Sequence, residues 1–600
     1  MSSAWLTLKE HLAQHLGRLG DVKIRPDDFT EPPRPELGDI ALPCFRMAKD
    51  AGMSPVELAQ KIASAFSSDH FIASLEAAGP FVNLRFHAGA LADRIVRDVE
   101  HAGDAYGAST IGGNRRVLFE YACPNTHKEL HVGHLRNVSI GVSLIHVLRH
   151  AGYDVVPVNY LGDIGAHVAK CLWWFLISWR EQHSSASVSP STDGSALGFS
   201  MEEFHTLLES FPESERTGKR LGELYAESSR QLEAREGSAE QISAVLQSLE
   251  RQDPAWQAFW EETRRWSLDE LNTLFKELGA EFDRVYLESE VTDEGQKIVD
   301  KLMEQGIATV SQGAVIVDLE DQKLGVFLVR KSDGTALYST KELALAYLKQ
   351  REYPTVEDMI VLVDNRQSQY FRQLFATLKL MGFSIPMRHL GYEFVTLASG
   401  AMSSREGNVI TYQAFREELM KAAWKSTVDR HPDWAEGKVT YTAWALAMSA
   451  MKFGMLRQDP DKAYMFDMNE ALSFEGDTGP YVQYASVRLQ AILRKAAAAG
   501  IVLDESADVT PLALPQEVSL VLSIAKLAEI LPKAAEQLKP SIIANWCVEM
   551  ARASNAFYRD VPVMDASEQD RAARLRLVRS AYRTLTLGMS LLGIPMPEEM

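Results

Sequence analysis

The chain has 600 residues, of which 46% are hydrophobic and 24% charged, and its formal net charge is −19. This length exceeds one hydrophobic core and predicts about three or four domains. The acidic balance argues against a general nucleic-acid coat but leaves room for a local basic RNA track. No apolar run reaches the roughly 18 residues of a membrane span, and four scattered cysteines suggest neither a disulfide framework nor a zinc cluster. We therefore expect a cytoplasmic multidomain protein without membrane contact.

The first 110 residues are predicted to form a small α+β domain. The chain opens on an amphipathic helix that lacks the apolar core of a signal peptide. A turn-rich stretch, a helix over 54–66 and a short strand over 81–86 follow.

A β-α-β unit is predicted next, from a strand over 116–121, a helix over 131–150 and a strand over 154–160. The helix carries apolar residues at the three- and four-residue spacing of one buried face, and Gly152 ends it. Those residues are Leu135, Val138, Val142, Ile145 and Leu148.

Beyond this unit the chain changes character twice. The Ser-rich stretch 183–198 opens a charged, helix-prone insertion that extends to about residue 285. Strands are predicted over 314–319, 326–328 and 359–363, alternating with helices such as 340–349 and 370–381. After Asp477 the strand signal disappears, and long amphipathic helices are predicted up to the last residue.

The junction between the 116–121 strand and the following helix is predicted to bind a nucleotide. A Pro124-Asn125 turn leads to His131-Val132-Gly133-His134 at the helix start. Helix N-termini attract anions because their first backbone N–H groups lack partners, and Gly133 permits close approach of a flat group. The two histidines share one helix face and can both donate to phosphate oxygens.

Two neighbouring features need separate interpretations. Gly162 and Asp163 close the 154–160 strand; they could be an ordinary turn, but their place at a strand end favours the nucleotide crevice. His127 and His131 are four residues apart and suggest zinc, yet Glu129 faces away from both. Zinc is therefore disfavoured, and no tightly bound metal is expected.

A second segment, 400–408 (GAMSSREGN), would pass as a polar loop by itself. Following the first motif in an α/β context, it resembles the second signature of the class I aminoacyl-tRNA synthetases, usually written K-M-S-K-S. The first motif, Glu120-x-x-x-Pro124-Asn125-x-x-Lys128-x-x-His131-Val132-Gly133-His134, resembles the form found in arginyl-tRNA synthetases. Further segments of the chain resemble the same family: 37–49, 337–342, 473–485 and 592–600.

The resemblance implies a multidomain α/β fold with a Rossmann-like class I synthetase catalytic domain. The expected divisions are an N-terminal tRNA-elbow-binding domain over 1–110, the catalytic domain over 111–476 with its insertion at about 183–285, and an all-helical anticodon-binding domain over 477–600. It also implies ATP accompanied by Mg²⁺, L-arginine and the arginine tRNA as substrates, with tRNA needed even for activation. We expect a monomer.

The chemistry assigns roles to individual residues. Joining the arginine carboxylate to the α-phosphate of ATP requires hydrogen-bond donors at the phosphates. A guanidinium presents five donors in a planar fork and so requires acids. The residues expected at the ATP are His131, Gly133, His134, Gly162, Asp163, Met402, Ser403 and Ser404. The residues expected at arginine are Glu120, Glu342 and Tyr338 around the guanidinium, with Asn125 and Gln367 at the head group.

The second signature departs from the family pattern. Ala401 and Ser404 occupy the places of its two lysines. Lys128 is predicted to supply the missing cation, with Arg405 adding a second. Cys123, Glu342 and Tyr370 also replace the serine, aspartate and histidine that the family commonly has.

For tRNA, Tyr484, Arg488 and Tyr558 are predicted to hold unstacked anticodon bases, because stacking and edge hydrogen bonds read single-stranded RNA. A basic stripe of Arg576, Arg579 and Arg583 is predicted to contact phosphates.

Alternative functions remain open at this point. A non-translational RNA-binding or regulatory paralogue with a weakened site is supported by Ala401 but disfavoured by the retained site residues. A cysteinyl enzyme would need zinc ligands, and a glutamyl enzyme would need basic pocket residues.

Overall fold

A computed structural model describes residues 3–183, 197–332, 337–397 and 410–600. The predicted site residues Met402, Ser403, Ser404 and Arg405, together with Ala401, lie outside these described residues.

The N-terminal part is the predicted α+β domain. Its strands β1, β3 and β2 form an antiparallel sheet in that order. Ser54 caps its third helix by accepting the Glu57 N–H, and the Glu57 carboxylate accepts the Ser54 N–H in return. The elements are α1 (Ala4–Gly20), β1 (Ile40–Pro43), α2 (Phe45–Ala51), α3 (Pro55–Ala65), β2 (Ile72–Ala78), β3 (Phe81–Phe86) and α4 (Ala88–Ala102).

The predicted β-α-β unit opens the central part, and the helical insertion follows it. The elements are β4 (Arg116–Glu120), α5 (Val132–His150), β5 (Asp154–Leu161), α6 (Ala166–His183), α7 (Met201–Ser210), α8 (Gly218–Ala234), α9 (Ser238–Glu250) and α10 (Pro254–Glu277). Although its sequence is rich in charge, the insertion has a core of its own. Aromatic residues of α6 and α10 dominate that core, among them Trp173, Phe175, Trp256, Phe259 and Trp266.

The rest of the central part completes the parallel sheet and adds a small antiparallel one. The elements are β6 (Arg284–Leu287), α11 (Thr292–Glu304), β7 (Ala308–Ser311), β8 (Ala314–Asp318), β9 (Val326–Arg330), α12 (Tyr338–Glu352), β10 (Asp358–Asp364), α13 (Ser368–Leu380), β11 (Met387–Tyr392) and β12 (Val395–Leu397). Five strands pair in parallel in the order β11-β10-β4-β5-β6, and β7-β8-β9 pair antiparallel. The sequence predictions missed β6, β7, β11 and β12.

Helices dominate the rest of the chain, and beyond Asp477 every element is a helix, as predicted. The elements are α14 (Tyr412–Arg430), α15 (Glu436–Arg457), β13 (Tyr464–Phe466), α16 (Met468–Ala471), α17 (Gly479–Ala498), α18 (Pro515–Gln537), α19 (Ser541–Asp560) and α20 (Glu568–Leu591). Strand β13 pairs with β12. Among the helices that the structure describes, none has the length and apolar composition needed to cross a bilayer.

The predicted basic stripe on α20 is wrong for two of its three residues. Arg576 is 1% exposed, and its guanidinium forms an ion pair with Glu100 of α4. Arg579 pairs with the same carboxylate at 2.7 Å and with Glu505 at 2.8 Å. These arginines hold the N-terminal part against the helical part, and only Arg583 is exposed.

Candidate active site

The candidate site lies where the strand order of the parallel sheet reverses. The chain passes from β4 to β5 and β6 on one side, and later adds β10 and β11 on the other side. In open parallel sheets, ligands bind outside the carboxyl ends of the strands at this reversal. The loop over 121–131 connects the end of β4 to α5 here, as the sequence predicted.

That loop has a strained backbone which its surroundings hold in place. Ala122, Cys123 and His127 adopt left-handed conformations, with φ of 73°, 46° and 58°. Asn137 accepts the Ala122 N–H at 2.7 Å, and Asn159 accepts the Cys123 N–H at 3.0 Å. Such conformations cost about 1–3 kcal/mol each and persist only where neighbouring contacts enforce them. The loop is therefore preorganised.

His131 and His134 cap the start of α5. The Gly133 N–H donates to His131 Nδ1 at 3.1 Å, and the His131 N–H donates to His134 Nδ1 at 3.1 Å. The two rings stack with centroids 3.8 Å apart. Because each Nδ1 accepts a hydrogen bond, the proton of each neutral ring must lie on Nε2.

The histidines are consequently neutral donors. Burial lowers the pKa of His131 to about 4, and the positive charge of Lys128 adds to the effect. Burial, then His131 and Lys128, hold the pKa of His134 well below its ordinary value. This agrees with the predicted role as hydrogen-bond donors, and Nε2 is the atom that each ring has left to offer.

Gly133 is needed for a different reason from the predicted one. A Cβ at this position would lie 2.8 Å from Cε1 and 2.9 Å from Nδ1 of His131. The flat group that approaches this backbone is therefore the His131 ring itself. The same ring accepts the Gly133 N–H, so that N–H is not free for an anion, and the imidazoles present the donors instead.

Lys128 lies at the same helix start. Its Nζ is 4.6 Å from the centroid of the Tyr225 ring on insertion helix α8. The pKa of His167 on the adjacent α6 is lowered mainly by burial, and the charge of Lys128 adds to this effect. The predicted cation is therefore close to both signature histidines.

His127 and Asp163 are structural. The ring nitrogens of His127 contact the hydroxyls of Thr126 and Thr263, each at 2.9 Å, so neither nitrogen is free for a metal. Asp163 is fully buried, and its carboxylate accepts from Arg264 at 3.0 Å and from Ser289. The prediction that Asp163 binds ATP is therefore corrected, because its oxygens already hold α10 and the turn after β6.

Acidic side chains gather at the site, and one of them forms no ion pair in the part of the chain that the structure describes. Glu120 forms a buried ion pair with Lys349 of α12, so it does not present a free carboxylate. Glu288 pairs with Lys341 at 2.6 Å. Glu342 is 4% exposed, and its Oε1 has no hydrogen-bond partner in the described part of the chain. Burial and the negative charge of Glu120 raise the pKa of Glu342 toward neutrality.

Three tyrosines surround this carboxylate. The Tyr338 side chain lowers the pKa of Glu342 and so opposes part of the burial effect, and the Tyr338 ring lies 6.3 Å from that of Tyr160 and 5.4 Å from that of Tyr370. The hydroxyls of Tyr160 and Tyr370 are buried without partners among the described residues. Tyr338 itself is 41% exposed, as expected for the wall of an open pocket. Unpaired buried groups are costly, so their convergence indicates a site for a polar ligand.

The remaining predicted site residues lie at the same edge of the sheet. Asn125 is exposed and pairs with Gly162 through an isolated parallel bridge. A Cβ at Gly162 would lie 2.1 Å from Asn125 Oδ1, so this glycine makes room for the Asn125 side chain. Gln367 is in the turn that follows β10, and β10 is the strand that pairs with β4.

Sequence reasoning missed several residues of the site. Tyr160 and Glu288 are at the carboxyl ends of β5 and β6, which is the signal that could have found them. No sequence motif marks Lys349 or Tyr225, because both lie on helices that are far from the first signature in the sequence.

The predicted anticodon residues form one cluster on α17 and α19. The Arg488 guanidinium lies 4.2 Å from the Tyr484 ring and 5.1 Å from the Tyr558 ring. It also donates to Asn555 Oδ1 at 2.8 Å. Tyr558 is 38% exposed, so an aromatic face is open to solvent beside a positive charge.

This nucleotide-type crevice and its helical partner domain are those of a class I aminoacyl-tRNA synthetase. The pattern described as "tRNA synthetases class I (R), catalytic domain" matches residues 98–190 and 194–468. The "Arginyl tRNA synthetase N terminal domain" matches 6–86, and the "DALR anticodon binding domain" matches 482–600. The chain belongs to the arginyl-tRNA synthetase family.

Individual relatives agree with this assignment. The arginine–tRNA ligase of Bdellovibrio bacteriovorus is 33% identical over 95% of this chain and 94% of its own. That of Halothermothrix orenii is 31% identical over 95% of both chains. The arginyl-tRNA synthetase structure of Thermus thermophilus covers 99% of both chains with a TM-score of 0.77 at 28% identity. The ligase name of these relatives favours an enzyme over the regulatory paralogue.

Proposed function

We propose that this protein is an arginine–tRNA ligase, which activates L-arginine with ATP and transfers it to the arginine tRNA. Family membership supports the reaction, and the single observation that carries the choice of arginine is Glu342. This buried carboxylate has tyrosine neighbours and forms no ion pair among the described residues, although the charge of Lys349 reaches it, whereas Glu120 and Glu288 each pair with a lysine. A guanidinium supplies the missing charge in a form that a carboxylate binds well.

The activation step follows from the acidic pocket at one end of the site and the two signature histidines at the other. The arginine carboxylate attacks the α-phosphorus of ATP, an acyl–phosphate bond forms, and pyrophosphate leaves with the electron pair of the broken P–O bond. The Nε2–H groups of His131 and His134 donate to phosphate oxygens on which charge develops, and Lys128 adds a positive charge. Mg²⁺ enters with ATP as part of that substrate. Asn125 and Gln367 hold the amino-acid head group, and the adenylate then passes its arginyl group to the tRNA 3′ end.

The tRNA is held by the other parts of the chain. Tyr484, Arg488 and Tyr558 stack and hydrogen-bond anticodon bases, and the domain at 1–110 contacts the tRNA elbow. The cysteine content supports a cytoplasmic location, and we propose a monomer.

The test is a comparison of Glu342→Gln with Glu342→Asp. Removing one charged hydrogen bond costs about 1.5–3 kcal/mol, so Glu342→Gln should raise the KM for arginine roughly 10- to 150-fold. Glu342→Asp keeps the charge and should retain most of the affinity. ATP–pyrophosphate exchange with a panel of amino acids, with and without tRNA, is the assay. Exchange driven equally well by an uncharged amino acid, or an unchanged KM in Glu342→Gln, would refute the assignment.

A further inference from the structure

Insertion helix α8 touches the first signature at two consecutive residues. The Tyr225 ring faces Lys128 Nζ at 4.6 Å. One turn earlier, a Cβ at Gly222 would lie 2.4 Å from Glu129 Cγ and 3.0 Å from Glu129 N, so only glycine lets the loop sit so close. Residues three apart on a helix share one face, so a single face of α8 supports both residues of the loop.

Helix α8 is itself held firmly. Leu221 and Leu224 are buried in the core of the insertion. Trp174 of α6 donates to Glu227 at 2.9 Å, and the thiol of Cys171 contacts the Leu221 carbonyl at 3.4 Å. Functional side chains are placed most accurately when rigid elements carry them. The Tyr225 ring is thus on a fixed support.

We propose that Tyr225 is a positioning residue for activation: its ring holds the Lys128 ammonium at the phosphate end of the site. The inference rests on the role proposed for Lys128. A lysine has a flexible four-carbon stem, and an aromatic face attracts its charge without neutralising it as a carboxylate would. The Lys128 ammonium therefore remains available to the phosphates.

A second lysine shares the same ring. Lys170 Nζ lies 5.4 Å from the Tyr225 centroid and donates to Ser229 Oγ at 2.8 Å. Because Ser229 anchors Lys170, like-charge repulsion disfavours movement of Lys128 toward α6. The helical insertion thus has a role in activation, because it positions Lys128. This lysine supplies the positive charge that the second signature lacks at Ala401 and Ser404.

The test is graded at position 225. Tyr225→Phe keeps the ring and should retain activation kcat within about twofold, whereas Tyr225→Leu should lower it about tenfold, with the KM for arginine unchanged. If the leucine variant folds poorly, phenylalanines with increasing fluorine content at this position serve instead. Their size changes little while the negative ring face is lost, so kcat should fall stepwise. A flat series, or equal loss in Phe and Leu variants, would overturn the proposal.

A double-mutant cycle separates this inference from the proposed function. If Tyr225 acts through Lys128, adding Tyr225→Leu to Lys128→Ala should cause no further loss in kcat. Additive losses would refute the link while leaving arginine activation intact. Absence of arginine-dependent exchange in the unaltered protein would instead refute the proposed function. A thermal unfolding midpoint for each variant identifies losses that arise from misfolding.

Discussion

The sharpest test of the site concerns Gly133→Ala. The new Cβ would meet His131 at 2.8 Å, and an ordinary contact begins at 3.4 Å, so the ring must move by about 0.6 Å (3.4 − 2.8). That movement disturbs the Gly133 N–H bond to Nδ1 and the stack with His134. Alanine in place of a helical glycine raises the free energy of unfolding by about 1 kcal/mol, and weakening of the cap lowers it by about the same amount. Stability should therefore change little.

Activity should change much more. Misplacing a transition-state donor costs on the order of 10²-fold in rate, so we expect arginine-dependent ATP–pyrophosphate exchange, measured with tRNA present, to fall about that far. Gly437→Ala is the matched control, since Gly437 is also the second residue of its helix, α15, and nothing lies within 4 Å of a Cβ there. The control should keep full exchange. Near-normal exchange in Gly133→Ala, or a collapse of its thermal midpoint, would refute this account of the helix start.

Three further predictions concern other parts of the structure. Burial lowers the pKa of His127 to about 3, so as pH falls the unfolded chain binds a proton at this residue before the folded protein does. His127 should therefore account for about 2 kcal/mol of the free energy of unfolding that is lost between pH 7 and 5. Urea titrations over this pH range should show a smaller loss in His127→Gln than in the unaltered protein, and equal losses would contradict this. Glu120→Gln leaves the Lys349 ammonium buried and unpaired and should cost about 3–5 kcal/mol of unfolding free energy, with recovery when Lys349→Met is added. Tyr558→Leu should raise the KM for tRNA about tenfold without changing that for ATP, whereas an unchanged tRNA KM would make this tyrosine a packing residue.

The first signature could be predicted in detail because its structure is local. The strand, the turn, the helix start at His131 and the buried face of α5 all follow from residues close together in sequence. The helix-start position also suggested the donor role of the two histidines. What the sequence did not reveal is that each ring caps the helix, which selects Nε2 as the donor atom.

The acidic pocket could be predicted only in part because its charges are paired over long sequence distances. Glu120 and Glu342 were both expected at the guanidinium, but Lys349 neutralises Glu120 from a helix 229 residues away. Glu288, which follows the insertion in the sequence, lies at the same pocket. Asp163 likewise looked like a crevice residue until Arg264 and Ser289 were seen to occupy it. Composition and spacing carry no information on which acid keeps an unpaired charge.

The unpaired acid gives arginine binding a pH signature. Burial, together with the charge of Glu120, raises the pKa of Glu342, so part of its population is protonated near neutral pH. A guanidinium beside it favours the ionised form, and its arrival should therefore expel a fraction of a proton into the buffer. Calorimetric titration of arginine in two buffers of different ionisation enthalpy measures that fraction. Release should grow as pH is lowered from 8 to about 6, because more of the carboxyl is then protonated beforehand, and it should vanish in Glu342→Gln. Equal binding heats in the two buffers at pH 6–7 would mean that Glu342 is already ionised and that another group satisfies it.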